Sequence, residues 1–149
     1  MRTLSPEQRL VVTQFLRYAC VGVMNTLITL VLIFLCKSIF GINPWVSNAI
    51  GYVAGFVNSF VWNKLWVFKS GSGVLSEGVK FIIGFLLCYA FQFAATWLLT
   101  EQTPLGDIQL HLLGFTMSGY GLATLIGMVV YTLANFVYNR TVTFKGAGN

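Results

Sequence analysis

Four long apolar runs divide the chain, at about 15–36, 45–62, 79–100 and 112–138, with short polar segments between them. A helix needs roughly 20 apolar residues to cross the hydrocarbon of a bilayer, so the pattern predicts four transmembrane helices. The segment 38–43 reads as a brief turn, and Pro44 suits the first turn of the next helix, where no N–H is required of it. Ser70-Gly71-Ser72-Gly73 reads as a flexible linker. The longest polar interruption is 101–111, holding Pro104, Gly106 and Asp107, and the fourth run is long enough to tilt or to begin outside the hydrocarbon.

The second and fourth runs end alike. Val61-Trp62-Asn63-Lys64-Leu65-Trp66-Val67-Phe68-Lys69 returns as Val137-Tyr138-Asn139-Arg140-Thr141-Val142-Thr143-Phe144-Lys145, every position 76 residues on. An aromatic residue, Asn, a cation and then Phe-Lys recur at fixed spacing, which marks an internal duplication. The first helices match more faintly. Arg17-Tyr18 to Gly22 resembles Lys80-Phe81 to Gly84 at an offset of 63, and the longer 101–111 loop absorbs the difference of 13 residues. The chain therefore divides into an N-terminal tail (1–14), a first helical hairpin (15–69), a linker (70–78), a second hairpin (79–145) and a C-terminal tail (146–149).

Composition removes the soluble alternatives. Of 149 residues, 56% are hydrophobic and 9% charged, against about 25% charged in a soluble domain. An all-α integral membrane protein remains, with length for one bundle. The N-terminal segment carries Arg2, Glu7 and Arg9 and does not read as a cleavable signal. Lys and Arg collect on the cytoplasmic side of membrane proteins, and their positions set the orientation. Arg2, Arg9 and Arg17 flank the start of the first helix, Lys64, Lys69 and Lys80 the linker, and Arg140 and Lys145 the C-terminus, whereas the opposite loops hold only Lys37. Both termini and the linker are thus expected in the cytoplasm, and the hairpins as parallel repeats about an axis along the membrane normal.

Candidate chemistry is sparse. Cys20, Cys36 and Cys88 show no CxxC spacing and read as free thiols. Glu7, Glu77, Glu101 and Asp107 fall in tails or loops, and the lone His111 in an external loop. General acid–base catalysis, metal-assisted hydrolysis and carboxylate-coupled proton transport need groups inside the bundle. No catalytic residue, metal site, cofactor or nucleic-acid partner is expected, and a proton-coupled exporter is disfavoured.

Neutral polar residues are better organised. Asn48, Tyr52, Gly55, Ser59 and Trp62 recur at helical spacing, and 76 residues on stand Thr124, Met128, Tyr131, Asn135 and Tyr138. Asn25 and Thr29 share a face of the first helix and map to Cys88 and Gln92, while Asn58 adjoins Ser59. These groups could serve only as helix-to-helix hydrogen bonds, worth about 0.6 kcal/mol each on average. Alternatively they line a polar cleft between the halves, where amides donate and accept and rings stack on sugar faces. The cations Arg17, Lys64, Lys80 and Arg140 have two readings as well: positive-inside anchoring, or a docking collar for a phosphate in the inner leaflet, with Asn63 and Asn139 beside them.

The residues Phe15-Leu16-Arg17-Tyr18, Val21-Gly22-Val23-Met24-Asn25-Thr26 and Asn58 to Phe60 leading into Asn63-Lys64-Leu65-Trp66-Val67-Phe68 resemble the GtrA-like family. Asn135-Phe136-Val137-Tyr138-Asn139-Arg140, ending in Thr143-Phe144, is similar to that family's closing segment. The resemblance implies a small bacterial inner-membrane protein of cell-surface polysaccharide synthesis. It would translocate a polyprenyl-phosphate-linked sugar from the cytoplasmic to the outer leaflet, beside a partner glycosyltransferase. Its residue roles carry over to Asn25, Asn58, Asn63 and Lys64, and to Asn139 and Arg140. Cys88 stands where a second Asn25 would be, so the halves are not expected to contribute equally. The alternative is a non-transporting anchor that recruits the glycosyltransferase. Four helices are narrow for a sugar headgroup, so a homo-oligomer is expected in membrane lipid.

Overall fold

The computed structural model describes residues 5–104, 109–112 and 115–145; Arg2, Gly106, Asp107 and the tail 146–149 lie outside the described residues. Four helices dominate: α1 (Pro6–Phe34), α2 (Pro44–Trp62), α3 (Val74–Glu101) and α4 (Gly119–Tyr138). Of these, α1, α3 and α4 are long and apolar enough to cross a membrane. The 19-residue α2 would extend about 28 Å at 1.5 Å per residue, close to the hydrocarbon thickness, but Ser47, Asn48, Asn58 and Ser59 dilute its apolar character. The chain falls into two units, the first ending at Ser72 and the second running Gly73–Lys145. Each is a helical hairpin, α1 with α2 and α3 with α4.

The helices start earlier than hydropathy suggests. Residues 6–14, expected as a tail, open α1, because Ser-Pro-Glu-Gln is a helix-start signature that outweighs their polarity. Ser5 Oγ accepts from the Gln8 N–H at 3.3 Å, while Gln8 Oε1 accepts from the Ser5 N–H at 2.9 Å. At 29 residues α1 measures about 44 Å, so its polar first turns have room beyond a bilayer core of about 30 Å. Likewise α3 begins at Val74 rather than 79, which moves Glu77 from the expected loop into the first helical turn, buried at 2% exposure. An acid there complements the positive end of the helix dipole.

The linker is not slack. Lys64 Nζ donates to Ser72 O at 2.6 Å, the Ser70 N–H to Lys64 O at 2.8 Å, and the Ser72 N–H to Ser70 Oγ at 3.3 Å. Composition alone predicted a flexible segment; local hydrogen bonds between residues two to eight apart give it a defined path.

The helical architecture carries one addition. β1 (Gln109–Leu112) pairs antiparallel with β2 (Phe115–Ser118), Gln109 opposite Ser118 and His111 opposite Thr116. Gln-Leu-His-Leu and Phe-Thr-Met-Ser both alternate polar with apolar, the period of a strand. The fourth helix therefore begins at Gly119 rather than 112, capped by Ser118, whose Oγ accepts from the Gly121 N–H at 3.2 Å.

Candidate functional site

Both signature segments fold the same way, each as a π-helical turn closing the second helix of its hairpin. Asn63–Val67 follows α2 and Asn139–Thr143 follows α4. The Phe68 N–H reaches back to Asn63 O at 2.9 Å, and the Phe144 N–H to Asn139 O at 2.8 Å. In an α-helix, residues five apart fall on different faces. The wider turn brings Asn and Phe to the same side, and such single π turns concentrate at functional sites.

The phenylalanines hold the turns down. Phe68 and Phe144 are each 1% exposed. Phe68 lies against Tyr18 of α1, ring centroids 6.5 Å apart, and Phe144 against Phe81 of α3 at 6.2 Å. Burying such a ring contributes about 1.5–3 kcal/mol. Lys69, in the left-handed region at φ 52, then ends the first turn and swings the chain into the linker.

The asparagine at the head of the first turn has a fixed orientation, and that at the head of the second joins a side-chain network. Asn63 Nδ2 donates to Ser59 O at 2.8 Å, and because a backbone carbonyl only accepts, the amide cannot be flipped. Asn139 Nδ2 donates to Asn135 Oδ1, and Asn135 Nδ2 to the Tyr131 hydroxyl, both at 3.3 Å. A polar ladder thus runs up α4 from the turn. In the first unit it stops after Ser59, since Gly55 stands 76 residues before Tyr131. Asn63 and Asn139 are 1% and 0% exposed, and their Oδ1 atoms have no partner among the described residues. Each turn therefore presents a buried acceptor, which suits a hydroxyl or ammonium donor better than a phosphate oxygen.

The four cations differ in their engagement. Arg17 stands 5.5 Å over the Trp66 ring, and its Nη1 donates to Trp66 O at 3.3 Å. Lys64 is 8% exposed, with its ammonium on the linker carbonyl of Ser72. In the second unit Arg140 is half-buried and Lys80 exposed.

Other expected site residues separate. Asn58 Nδ2 donates to Asn25 Oδ1 at 2.7 Å, joining α1 to α2, and Thr29 Oγ1 donates to Gly51 O at 3.2 Å. At the matching offsets the second unit has Cys88 and Ala134 in place of the amide pair. Tyr131 packs edge-on to Phe85 at 6.4 Å, and Tyr138 lies over Gly84. Asn48 is half-buried, whereas Tyr52 is 68% and Trp62 41% exposed, the latter edge-on to Trp66 at 6.3 Å. Gln92 sits apart from these, in a small cavity described below.

Among the buried polar residues that sequence reasoning passed over, Gln14 at 4% exposure and Glu77 at 2% form a pair. They stand 63 residues apart, as Arg17 and Lys80 do, and that recurring offset was the signal available. The offset also pairs Gly84 with Val21 rather than with the exposed Gly22. A third omission is Thr143, whose buried Oγ1 has no partner among the described residues, at the position matching Val67. Removing a buried unpaired hydroxyl relieves a desolvation penalty of about 1–3 kcal/mol. Thr143→Val is therefore expected to raise stability by about 1 kcal/mol or more, read from unfolding in detergent; a loss of stability would mean the hydroxyl is satisfied.

Residues 17–148 match the family described as GtrA/DPMS, transmembrane domain. The chain is also 32% identical over 111 residues to the uncharacterized membrane protein YngA of Bacillus subtilis (strain 168), a match covering 66% of this chain and 73% of that protein.

Proposed function

We propose, from the premise that this chain belongs to the GtrA-like family, that it flips a polyprenyl-phosphate-linked sugar from the cytoplasmic to the outer leaflet of the bacterial inner membrane. It is a multi-pass membrane protein. In this reading α2 crosses the bilayer with the other three helices, the two hairpins are parallel repeats, and both termini and the linker face the cytoplasm.

The observation that carries the proposal is the pair of matching π turns, each with a cation next in sequence to a buried amide oxygen that lacks a partner among the described residues. Lys80 and Arg140 receive the phosphate, and Arg17 and Lys64 support the same end of the first unit. Asn63 and Asn139, presenting acceptors, accept hydrogen bonds from hydroxyls of the passing headgroup. Asn25, Asn58, Ser59, Tyr131, Asn135 and Tyr138 continue the polar route, with Asn48, Tyr52, Trp62 and Gln92 along its flanks. The polyprenyl tail stays in lipid throughout. An inside-negative potential assists outward movement of one negative charge by about 2.3 kcal/mol per 100 mV. A glycosyltransferase consuming the sugar outside supplies a further pull, and a homo-oligomer widens the path.

The test is transfer of a labelled polyprenyl-phosphate sugar across reconstituted liposomes. The native protein is expected to exceed protein-free vesicles clearly, and Arg140→Ala together with Lys64→Ala to reduce the rate at least tenfold. Because Lys64 also braces the linker, Arg140→Ala is measured alone as well. Transfer equal to that in empty vesicles, or indifferent to Arg140, would sink the mechanism.

One observation favours a second reading. Arg17 and Lys64 are both engaged by backbone carbonyls of their own unit, as positive-inside braces would be. A non-transporting anchor for a glycosyltransferase would retain full cellular activity after Asn25→Leu with Asn58→Leu and Asn135→Leu.

A further inference from the structure

The second unit contains a small cavity that the signature turns do not account for. It measures about 120 Å³ and lies between α3 and α4, lined by Tyr89, Gln92, Phe93, Thr96, Tyr120 and Thr124. From Thr124 to Asn139 is 15 residues of helix, so the cavity sits about 22 Å along α4 from the π turn, beside the β1–β2 hairpin. It is unlike a shallow groove in each unit among the described residues, lined almost wholly by apolar side chains such as Ile50, Val53 and Val57 in one and Val130, Leu133 and Val137 in the other.

The first unit serves as an internal control. At the matching offsets it has Thr26, Thr29, Leu30, Ile33, Pro44 and Asn48. All three aromatic rings are absent there, the amide is a threonine, and that threonine's hydroxyl is occupied by Gly51 O. Helix packing alone therefore does not demand the Gln92 set, since the other hairpin closes without it. What the two share is a glycine: a Cβ on Gly127 would meet Thr96 Oγ1 and, at 3.2 Å, Gln92 Cγ, just as one on Gly51 would meet Ile33 Cγ1 at 2.6 Å. The Gln92 stem thus rests against α4, and its amide has no hydrogen-bonding partner among the described residues.

The lining chemistry narrows the ligand. No lining residue is charged, so a phosphate or an ammonium would be left without a counter-charge. A glutamine amide donates and accepts at once, threonine and tyrosine hydroxyls do both, and three rings offer flat apolar faces. That combination matches a ring bearing several hydroxyls, apolar on its faces and polar at its edge. We infer that this cavity is a subsite for a neutral pyranose ring, at the end of the second unit remote from the phosphate-binding turn. The inference rests on the flippase reading for its purpose, as the station at which the sugar is received after crossing, but its binding chemistry can be tested independently.

The experiment uses the full chain in a detergent without a sugar head. Methyl glycosides of glucose, galactose, mannose and N-acetylglucosamine are titrated by saturation-transfer NMR, with cyclohexanol and glucose 6-phosphate as apolar and charged comparisons. At least one glycoside is expected to bind saturably in the millimolar range and more tightly than either comparison. Gln92→Leu should weaken it at least tenfold, and Thr124→Val, a milder change retained in case Gln92→Leu does not fold, at least threefold. Leu75→Ala, an exposed position in the first turn of α3 and far from the cavity, should leave glycoside binding unchanged. Saturable binding of no glycoside, or binding indifferent to both pocket substitutions, overturns the subsite. Glycoside binding that survives while liposome transfer is absent overturns only the flippase reading; normal transfer in Gln92→Leu overturns only the cavity's part in transfer.

Discussion

Gly84→Val is expected to separate α3 from α4 and lower stability by about 1–3 kcal/mol, the usual cost of overpacking. A Cβ at Gly84 would clash with the edge of the Tyr138 ring at its Cδ1 and Cε1 atoms. The ring is half-buried at the end of the helix that leads into the second π turn, so relieving the clash means turning it out of its packing against α3. The first unit displays the alternative arrangement. There Val21, 1% exposed, stands at the position matching Gly84, and Trp62, matching Tyr138, is 41% exposed. Valine at 84 should drive Tyr138 toward the Trp62 arrangement. Unfolding midpoints in mixed micelles measure the loss, and a second change, Tyr138→Ala, should recover part of it in Gly84→Val while lowering the stability of the native protein. An unchanged midpoint for Gly84→Val would overturn this account of the packing.

The second large effect is a coupling. Asn25→Leu leaves the Asn58 amide facing α1 without its 2.7 Å partner, and Asn58→Leu leaves Asn25 the same way. A stranded buried amide costs about 1–3 kcal/mol in water-soluble proteins. In membrane proteins the largest measured interhelical bonds reach about 1.7 kcal/mol. Each single change should therefore destabilise by roughly 1–1.5 kcal/mol. The double change Asn25→Cys with Asn58→Ala should recover most of that, because it installs the Cys88 and Ala134 pair that the second hairpin uses at the same offsets. Strictly additive losses across the cycle of Asn25→Cys, Asn58→Ala and their double change would show that the two amides are not coupled. Transport read on the same variants then asks a separate question, whether the pair only joins helices or also touches the cargo.

Much of this architecture was legible because a bilayer imposes coarse, periodic demands. A long run of apolar residues reports a helix whatever it packs against, and the fixed spacing from Asn63 to Asn139 flagged two segments that adopt the same π turn. Helical spacing nominated Asn48, Tyr52, Gly55, Ser59 and Trp62, and the buried side of α2 runs through Ser47, Gly51, Gly55 and Asn63, so the two faces meet at Gly55. Glycine carries no polarity signal, so hydropathy alone does not show how closely α1 approaches at Gly51 and Gly55. The helix starts were misplaced for the opposite reason. Polar composition at 6–14 suggested a tail, although Ser5 and Gln8 spelled a capping box.

By itself, then, the sequence determined the helical membrane class, the candidate hairpins and the two segments that end them, since these follow from apolar run length and from identities at constant spacing. Only the tertiary structure decided which atoms those segments present. The Asn63 amide is turned inward by one backbone carbonyl, Lys64 is held by the linker it was expected to leave free, and Gln92 lines a cavity that the first hairpin lacks. Those outcomes depend on three-dimensional geometry: the Asn63 and Lys64 bonds reach carbonyls four and eight residues away, the Gln92 cavity needs α3 packed on α4, and no run of hydropathy carries that information.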